Sequence, residues 1–356
     1  MRKALIAVLE TCAVLSAALS CGGGDRYVQI SGYAQGGTYS VKFNMRGADM
    51  TAEALRDGVD SLLVLVDTTL SGYDRGSMLS RFNAGETVVP NELFMDIYEY
   101  AADMFVRSGG AVDVAAGPLF DAWGFGFTSD SLPSGNEVAE IMSRCGMGRL
   151  RRDMRGALRD GRLAPAALLS GEAAAASPDA LPRLNYNAIA QGYTCDIIAS
   201  YLREHGVRDM LVDIGEIFCD GLNPDGVPWA LGIDRPVDGN DEPGADLKGI
   251  WRSDGGPHGV VTSGNYRKYY IKDGRKYSHS IDPRTGFPAE SNLLSATVSA
   301  ADAATADAVA TWCMVIGLEA SKDLLSEDGL EGCLIYDEDG EMRMWTSPGF
   351  EVEDAG

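Results

Sequence analysis

Two residues four apart on a helix share a face, and Asp307 and Thr311 stand in that relation within Thr305-Ala-Asp307-Ala-Val-Ala-Thr311. A hard cation such as Mg²⁺ takes oxygen ligands, accepts few of them from protein, and leaves its other positions to water or substrate phosphates. One carboxylate, one hydroxyl and one main-chain carbonyl would hold it. Taken alone, the same pair is common on helices and fits a solvent-facing hydrogen bond as well. A second candidate is His279, in His279-Ser-Ile-Asp282-Pro-Arg-Thr-Gly286, a loop of turn formers where a histidine is rarely core packing.

The elements that must position these groups follow from periodicity. Residues 302–316 form a strong helix pattern, and helices are expected at 52–70, 91–107 and 193–205. A strand pair is expected over 28–43 around Gly36 and Gly37, with further strands at 209–221, 229–233, 259–262 and 269–272. Residues 164–181, rich in Ala, Ser, Gly and Pro, are expected to be a surface loop or insertion. Strands and helices mix along the whole length without an internal repeat, which predicts one α/β unit with an antiparallel contribution.

With 356 residues, 45% of them hydrophobic and 23% charged, the chain can bury a sizeable core and is not a disordered tract. Its net charge of −22 repels polyanions over most of the surface, so no nucleic-acid partner is expected. The basic cluster Arg151, Arg152, Arg155 and Arg159 is broken by acids and glycine and predicts a solvated helical face. At the N-terminus, Arg2 and Lys3 precede an apolar stretch ending in Ala18-Leu19-Ser20-Cys21 and a glycine run. This resembles a bacterial lipoprotein signal with Cys21 as the lipidated residue; the stretch falls short of the ~20 apolar residues that a spanning helix needs. The expected division is a signal over 1–20, a flexible tether over 21–27 and one domain over 28–350. Cys145, Cys195, Cys219, Cys313 and Cys333 remain, none of them paired as C-x-x-C, so neither zinc nor a dense disulfide frame is indicated.

An ordered series of segments raises the weight of the Asp307 helix. It runs Gly32-Tyr-Ala-Gln35-Gly-Gly-Thr38-Tyr39, Leu70-Ser71-Gly-Tyr73, Ser80-Arg-Phe-Asn83, Gly110-Ala-Val-Asp113, Gly117-Pro-Leu119 and Trp123-Gly-Phe-Gly126. It continues with Asn185-Tyr-Asn-Ala188-Ile-Ala-Gln191-Gly-Tyr193, Val212-Asp-Ile-Gly215-Glu216, Thr262-Ser-Gly264 and the His279 loop. In this order the segments resemble the ApbE family of FAD:protein FMN transferases, from about Gly32 to Gly317.

The resemblance implies a single α/β (α+β mixed sheet) domain, ApbE-like and T-fold-like, with FAD as substrate in a cleft and Mg²⁺ at its pyrophosphate. It implies that Ala188, through its carbonyl, Asp307 and Thr311 hold the metal. Flavin and adenine contacts are implied for Gln35, Tyr73, Ala111, Val112, Asp113, Asn185, Gln191 and Ile281, and catalytic roles for His279 and Asp307. Tyr73 also suits a half-buried turn, Asp113 and Asn185 also suit caps, and the Trp123 segment suits packing. The family usually carries aspartate where this chain has Asn185, and two glycines before the position of Glu216, where here Gly215 stands alone. The reaction implied is transfer of FMN to a threonine of a target protein, with acceptors in periplasm-facing electron-transport complexes. With water as acceptor the site would be an FAD pyrophosphatase, and without turnover an FAD-binding lipoprotein.

Overall fold

The structure is a computed structural model describing residues 27–125, 132–171, 181–240, 242–266, 269–272, 275–278 and 280–355. The signal, most of the tether, Cys21, Gly126 and His279 lie outside the described residues. The hairpin expected around Gly36 forms from β1 (Tyr27–Ala34) and β2 (Gly37–Asn44), with Ala34 opposite Gly37. Its two-residue turn needs positive φ at both central positions, which Gln35 (φ 50°) and Gly36 (φ 82°) adopt. Helix α1 (Ala52–Leu70) opens on Thr51, whose hydroxyl accepts the Ala54 amide, and buries Leu55, Val59, Leu63 and Val66 at helical spacing. Short α2 (Met78–Asn83) leads to α3 (Glu92–Arg107), capped by Asn91. Then come α4 (Gly117–Ala122), α5 (Gly135–Met142) and α6 (Ala190–Glu204).

The strand expected over 209–221 is two strands, β3 (Met210–Asp213) and β4 (Ile217–Asp220). Gly215 turns the chain between them at φ 97°, and a Cβ there would lie 2.9 Å from Gln191 Nε2. The chain continues through β5 (Ala230–Asp234), β6 (Leu247–Arg252), β7 (His258–Gly264), β8 (Tyr269–Lys272) and β9 (Arg275–Ser278). It ends with β10 (Ile281–Asp282), β11 (Phe287–Pro288), β12 (Leu293–Ala300), α7 (Ala303–Ile316), α8 (Leu318–Leu324), β13 (Glu331–Glu338), β14 (Glu341–Thr346) and β15 (Val352–Asp354).

Among the described residues, eight strands form the main sheet in the order β1-β2-β3-β4-β7-β12-β13-β14, and every neighbouring pair is antiparallel. The antiparallel contribution expected from sequence is thus the whole of this sheet. Val41, Phe43, Val212 and Phe218 pack with Leu55, Val59, Ile198 and Leu202 of α1 and α6. Ala296 and Val298 pack with Ala306, Val309 and Cys313 of α7 and with Phe94 and Tyr98 of α3.

Two sequence expectations change. The basic cluster is no helical face: only residues 155–157 coil, as a 3₁₀ turn, and the Arg155 guanidinium bridges Glu92, Asp96 and Glu99 of α3. Residues 165–168 form a 3₁₀ turn with Pro165 and Leu168 buried, so this part of the supposed surface loop is anchored; residues 172–180 lie outside the described set.

Candidate functional site

Helix α7 is apolar nearly all round because almost all of it is buried. Its start is pinned by carboxylates: Asp302 accepts the Thr305 amide at 2.7 Å, and Asp196 of α6 accepts the Ala303 and Ala304 amides, both at 2.8 Å. Two glycines permit this closeness. A Cβ at Gly192 would lie 2.2 Å from the Ala303 carbonyl oxygen, and one at Gly259 of β7 would lie 2.3 Å from Ala303 Cα. The clamp is reciprocal, since Asp307 Oδ2 of α7 accepts the Gly192 amide of α6 at 3.1 Å.

Asp307 is only 4% exposed, and burial, with the Asp196 charge nearby, pushes its carboxyl well above the usual range. A buried carboxylate without a cation partner is costly, so the site favours either a proton or a cation on Asp307. Because the Gly192 amide turns to Asp307, it does not bond the carbonyl of Ala188, four residues earlier. Among the described residues no hydrogen bond reaches that carbonyl, Asp307 Oδ1 or the Thr311 hydroxyl. All three residues line one cleft of ≈ 860 Å³. Among the described residues no three His, Cys, Asp or Glu converge, so this all-oxygen set fits a hard divalent cation rather than zinc.

The rest of the cleft is built around that wall. Gln35, in the β1–β2 turn, donates through Nε2 to Thr194 Oγ1 of α6 at 2.8 Å. Gln191 donates to the Ile214 carbonyl at 2.8 Å, tying α6 to the β3–β4 turn. Ala111, Val112 and Asp113 also line the cleft, the first two buried, while Tyr33 and Tyr73, 74% and 76% exposed, stand at the rim. Ile281 is buried beneath the cleft against Trp123, whose Nε1 donates to the Gly286 carbonyl at 2.7 Å.

The sequence model of the ApbE family matches residues 35–334. The chain belongs to the ApbE family. It is 31% identical over 307 residues to the FAD:protein FMN transferase of Escherichia coli (strain K12), covering 83% of this chain and 81% of that protein. Against the enzyme of the same description from Vibrio cholerae, identity is 31% over 333 residues, covering 91% and 92%. The solved flavin transferase ApbE from Vibrio cholerae superposes with a TM-score of 0.73 at 29% identity, covering 92% of this chain and 99% of that one. The apo flavinyl transferase ApbE of Pseudomonas stutzeri gives 0.74 at 29% identity, covering 90% and 95%.

Every described residue that the ApbE resemblance picked out lines this one cleft: Gln35, Tyr73, Ala111 to Asp113, Asn185, Ala188, Gln191, Ile281, Asp307 and Thr311. His279 and Cys21 fall outside the described residues. Two side chains have their oxygens engaged within the protein. Asp113 accepts the Ala115 amide at 2.8 Å and the Met147 amide at 3.0 Å, and burial raises its carboxyl to about 6. Asn185 Oδ1 accepts the Asn187 amide at 2.9 Å, a turn bond that an amide makes as well as the carboxylate usual in the family. Gly215 makes the turn between β3 and β4 as its one glycine, at φ 97°.

Sequence reasoning missed Asp196, Thr194, Gly192 and Tyr33. Asp196 had a readable signal, since it lies one helical turn beyond Gly192 on the same face. The Gln35 to Thr194 bond spans 159 residues and leaves no local trace.

Proposed function

We propose that the chain is a Mg²⁺-dependent FAD:protein FMN transferase that attaches FMN to a threonine of a target protein and releases AMP. The observation that carries this reading is the buried Asp307 carboxylate on a cleft that Thr311 and Ala188 also line, with no donor on Asp307 Oδ1, the Thr311 hydroxyl or the Ala188 carbonyl among the described residues. These three groups would hold the ion. When bound, Mg²⁺ would offset the charge of the FAD diphosphate.

The chain's own residues do the remainder. The cleft loops hold the two ring systems of FAD and orient its diphosphate. The threonine oxygen bonds to the FMN phosphorus, the bond from that phosphorus to the bridging oxygen breaks, and AMP leaves with that oxygen. His279 takes the hydroxyl proton. Tyr73 stacks on a ring of the dinucleotide at the rim.

Export and lipid anchoring through Cys21, with the domain in the periplasm, are part of the proposal and rest on the Ala18-Leu19-Ser20-Cys21 segment. No helix among the described residues is long and apolar enough to cross a membrane. Radiolabelled palmitate should enter the wild-type chain but not Cys21→Ala.

The decisive experiment mixes the mature chain, FAD and Mg²⁺ with soluble, threonine-bearing domains of periplasm-facing electron-transport subunits. A fluorescent acceptor band on a denaturing gel, lost on Thr→Ala substitution in the acceptor, supports the reading. Release of FMN and AMP with no labelled acceptor would replace it with an FAD pyrophosphatase.

A further inference from the structure

The residues flanking a two-residue hairpin turn form a hydrogen-bonded pair, and bonded and non-bonded pairs then alternate along an antiparallel ladder. Ala34 and Gly37 flank the β1–β2 turn, so Gly32, Ile30 and Val28 bond to β2, while Tyr33, Ser31 and Gln29 direct their amides and carbonyls to the other side. Those three residues are exposed, and among the described residues no strand pairs with that side.

Open edges are commonly blunted by charge, proline or a bulge. β14, at the opposite end of the sheet, carries Glu341 and Arg343. β1, with sequence YVQISGYA, has neither charge nor proline and pairs without a register shift, in a chain of net charge −22. Its far end enters the cleft, where Tyr33, Ala34, Gln35 and Gly36 form part of the lining. Gln35 bonds Thr194, which lies two residues along α6 from the Gly192 amide held by Asp307.

We propose that the outer edge of β1 is the docking strand for the acceptor polypeptide, which joins the main sheet as a ninth strand and is guided toward the Asp307 wall. Main-chain pairing supplies affinity that is tolerant of acceptor sequence. The inference rests on the acceptor being a polypeptide and is independent of the ion.

The test uses Ser31→Pro, which removes an outward amide without breaking the β2 ladder, and Ser31→Lys, which adds an edge charge. The acceptor is a threonine-bearing domain that the wild-type enzyme labels. Each variant should raise the acceptor KM about tenfold or more, with Tm and flavin-fluorescence binding of FAD unchanged. Acceptor should also slow amide hydrogen exchange at Gln29, Ser31 and Tyr33 of the wild type. If Ser31→Pro fails to fold, Ser31→Lys decides. An unchanged acceptor KM in a folded variant overturns the inference while leaving the transferase reading standing, and so does a changed sedimentation coefficient at unchanged KM, which assigns the edge to a second copy. Exchange already slow in the free protein assigns it to the chain's own residues. A wild type that releases FMN but labels no acceptor sinks both readings.

Discussion

The two ends of the cleft are built in opposite ways. On the α6–α7 wall, backbone meets backbone through Gly192 and Gly259, and carboxylates cap amides across the contact in both directions. At the rim, Tyr33 and Tyr73 are largely in solvent, at the end of β1 and on the connection between α1 and α2. Groups that must meet a phosphate within fractions of an ångström gain from a frame whose ordering cost is met on folding. Aromatic faces that only stack on a ring tolerate looser placement, because stacking is broad in geometry.

The largest expected break in this contrast is Asp307→Asn, which removes the charge and keeps an acceptor for the Gly192 amide. Transfer should fall by about a thousandfold or more, the scale of losing one charge-stabilising group at a reacting centre. Tm should change little, because the ionised form of the buried Asp307 is disfavoured by desolvation. Steady-state labelling together with a melting curve checks both, and full Mg²⁺-dependent activity in the variant would refute the metal assignment.

Next in size is Asp196→Ala, which touches no part of the cleft lining. It orphans the Ala303 and Ala304 amides at a buried helix start, at a cost of about 2–4 kcal/mol in stability. It also frees α7 to shift, so Mn²⁺ binding followed by electron paramagnetic resonance should weaken. Asp196→Glu, able to accept the same amides, should recover part of that affinity. Unaltered Mn²⁺ binding in the alanine variant would show that the cap serves the fold and not the ion.

What could be read beforehand follows the same division. Helices α1 and α3 were visible because each combines a local period with a side-chain cap, Thr51 and Asn91, and α7 because a long Ala-rich apolar run follows its cap Asp302. β12 was not, since LLSATVSA is buried along nearly its whole length between β7 and β13, and two-sided burial erases alternation. Asp307 and Thr311 were legible as a pair one turn apart. The Gly192 to Asp307 bond, which orients the carboxylate and frees the Ala188 carbonyl, joins residues 115 apart and exists only in the fold.

A smaller effect separates the two ends by pH. Burial raises the carboxyls of Asp113 to about 6 and Asp196 to about 7, and raises Asp307 too, from an unfolded value of 3.8. A raised folded value means that the native state holds these protons more tightly than the unfolded chain. Their stabilisation is therefore complete below 3.8 and is lost as pH rises through about 6 to 7. In chelator, Tm should fall over this window. If Asp307 holds Mg²⁺ as proposed, the ion would partner its ionised form, so the rise in Tm caused by Mg²⁺ should grow with pH. A Mg²⁺ effect independent of pH would break the link between the ion and Asp307.

The smallest predicted effect lies at the rim. Tyr73 is 76% exposed, so removing its ring leaves the core untouched and Tm should not move. Loss of one stacking contact costs about 0.5–1.5 kcal/mol, which corresponds to a rise of about two- to tenfold in the KM for FAD. Binding of that kind is shared by ground and transition states, so kcat should stay near the wild-type value. Tyr73→Phe keeps the stacking face and should restore the KM. A Tyr73→Ala enzyme that instead loses kcat at unchanged KM would place this side chain at the reacting phosphate, and the contrast between a rigid chemical wall and a loose binding rim would have to be abandoned.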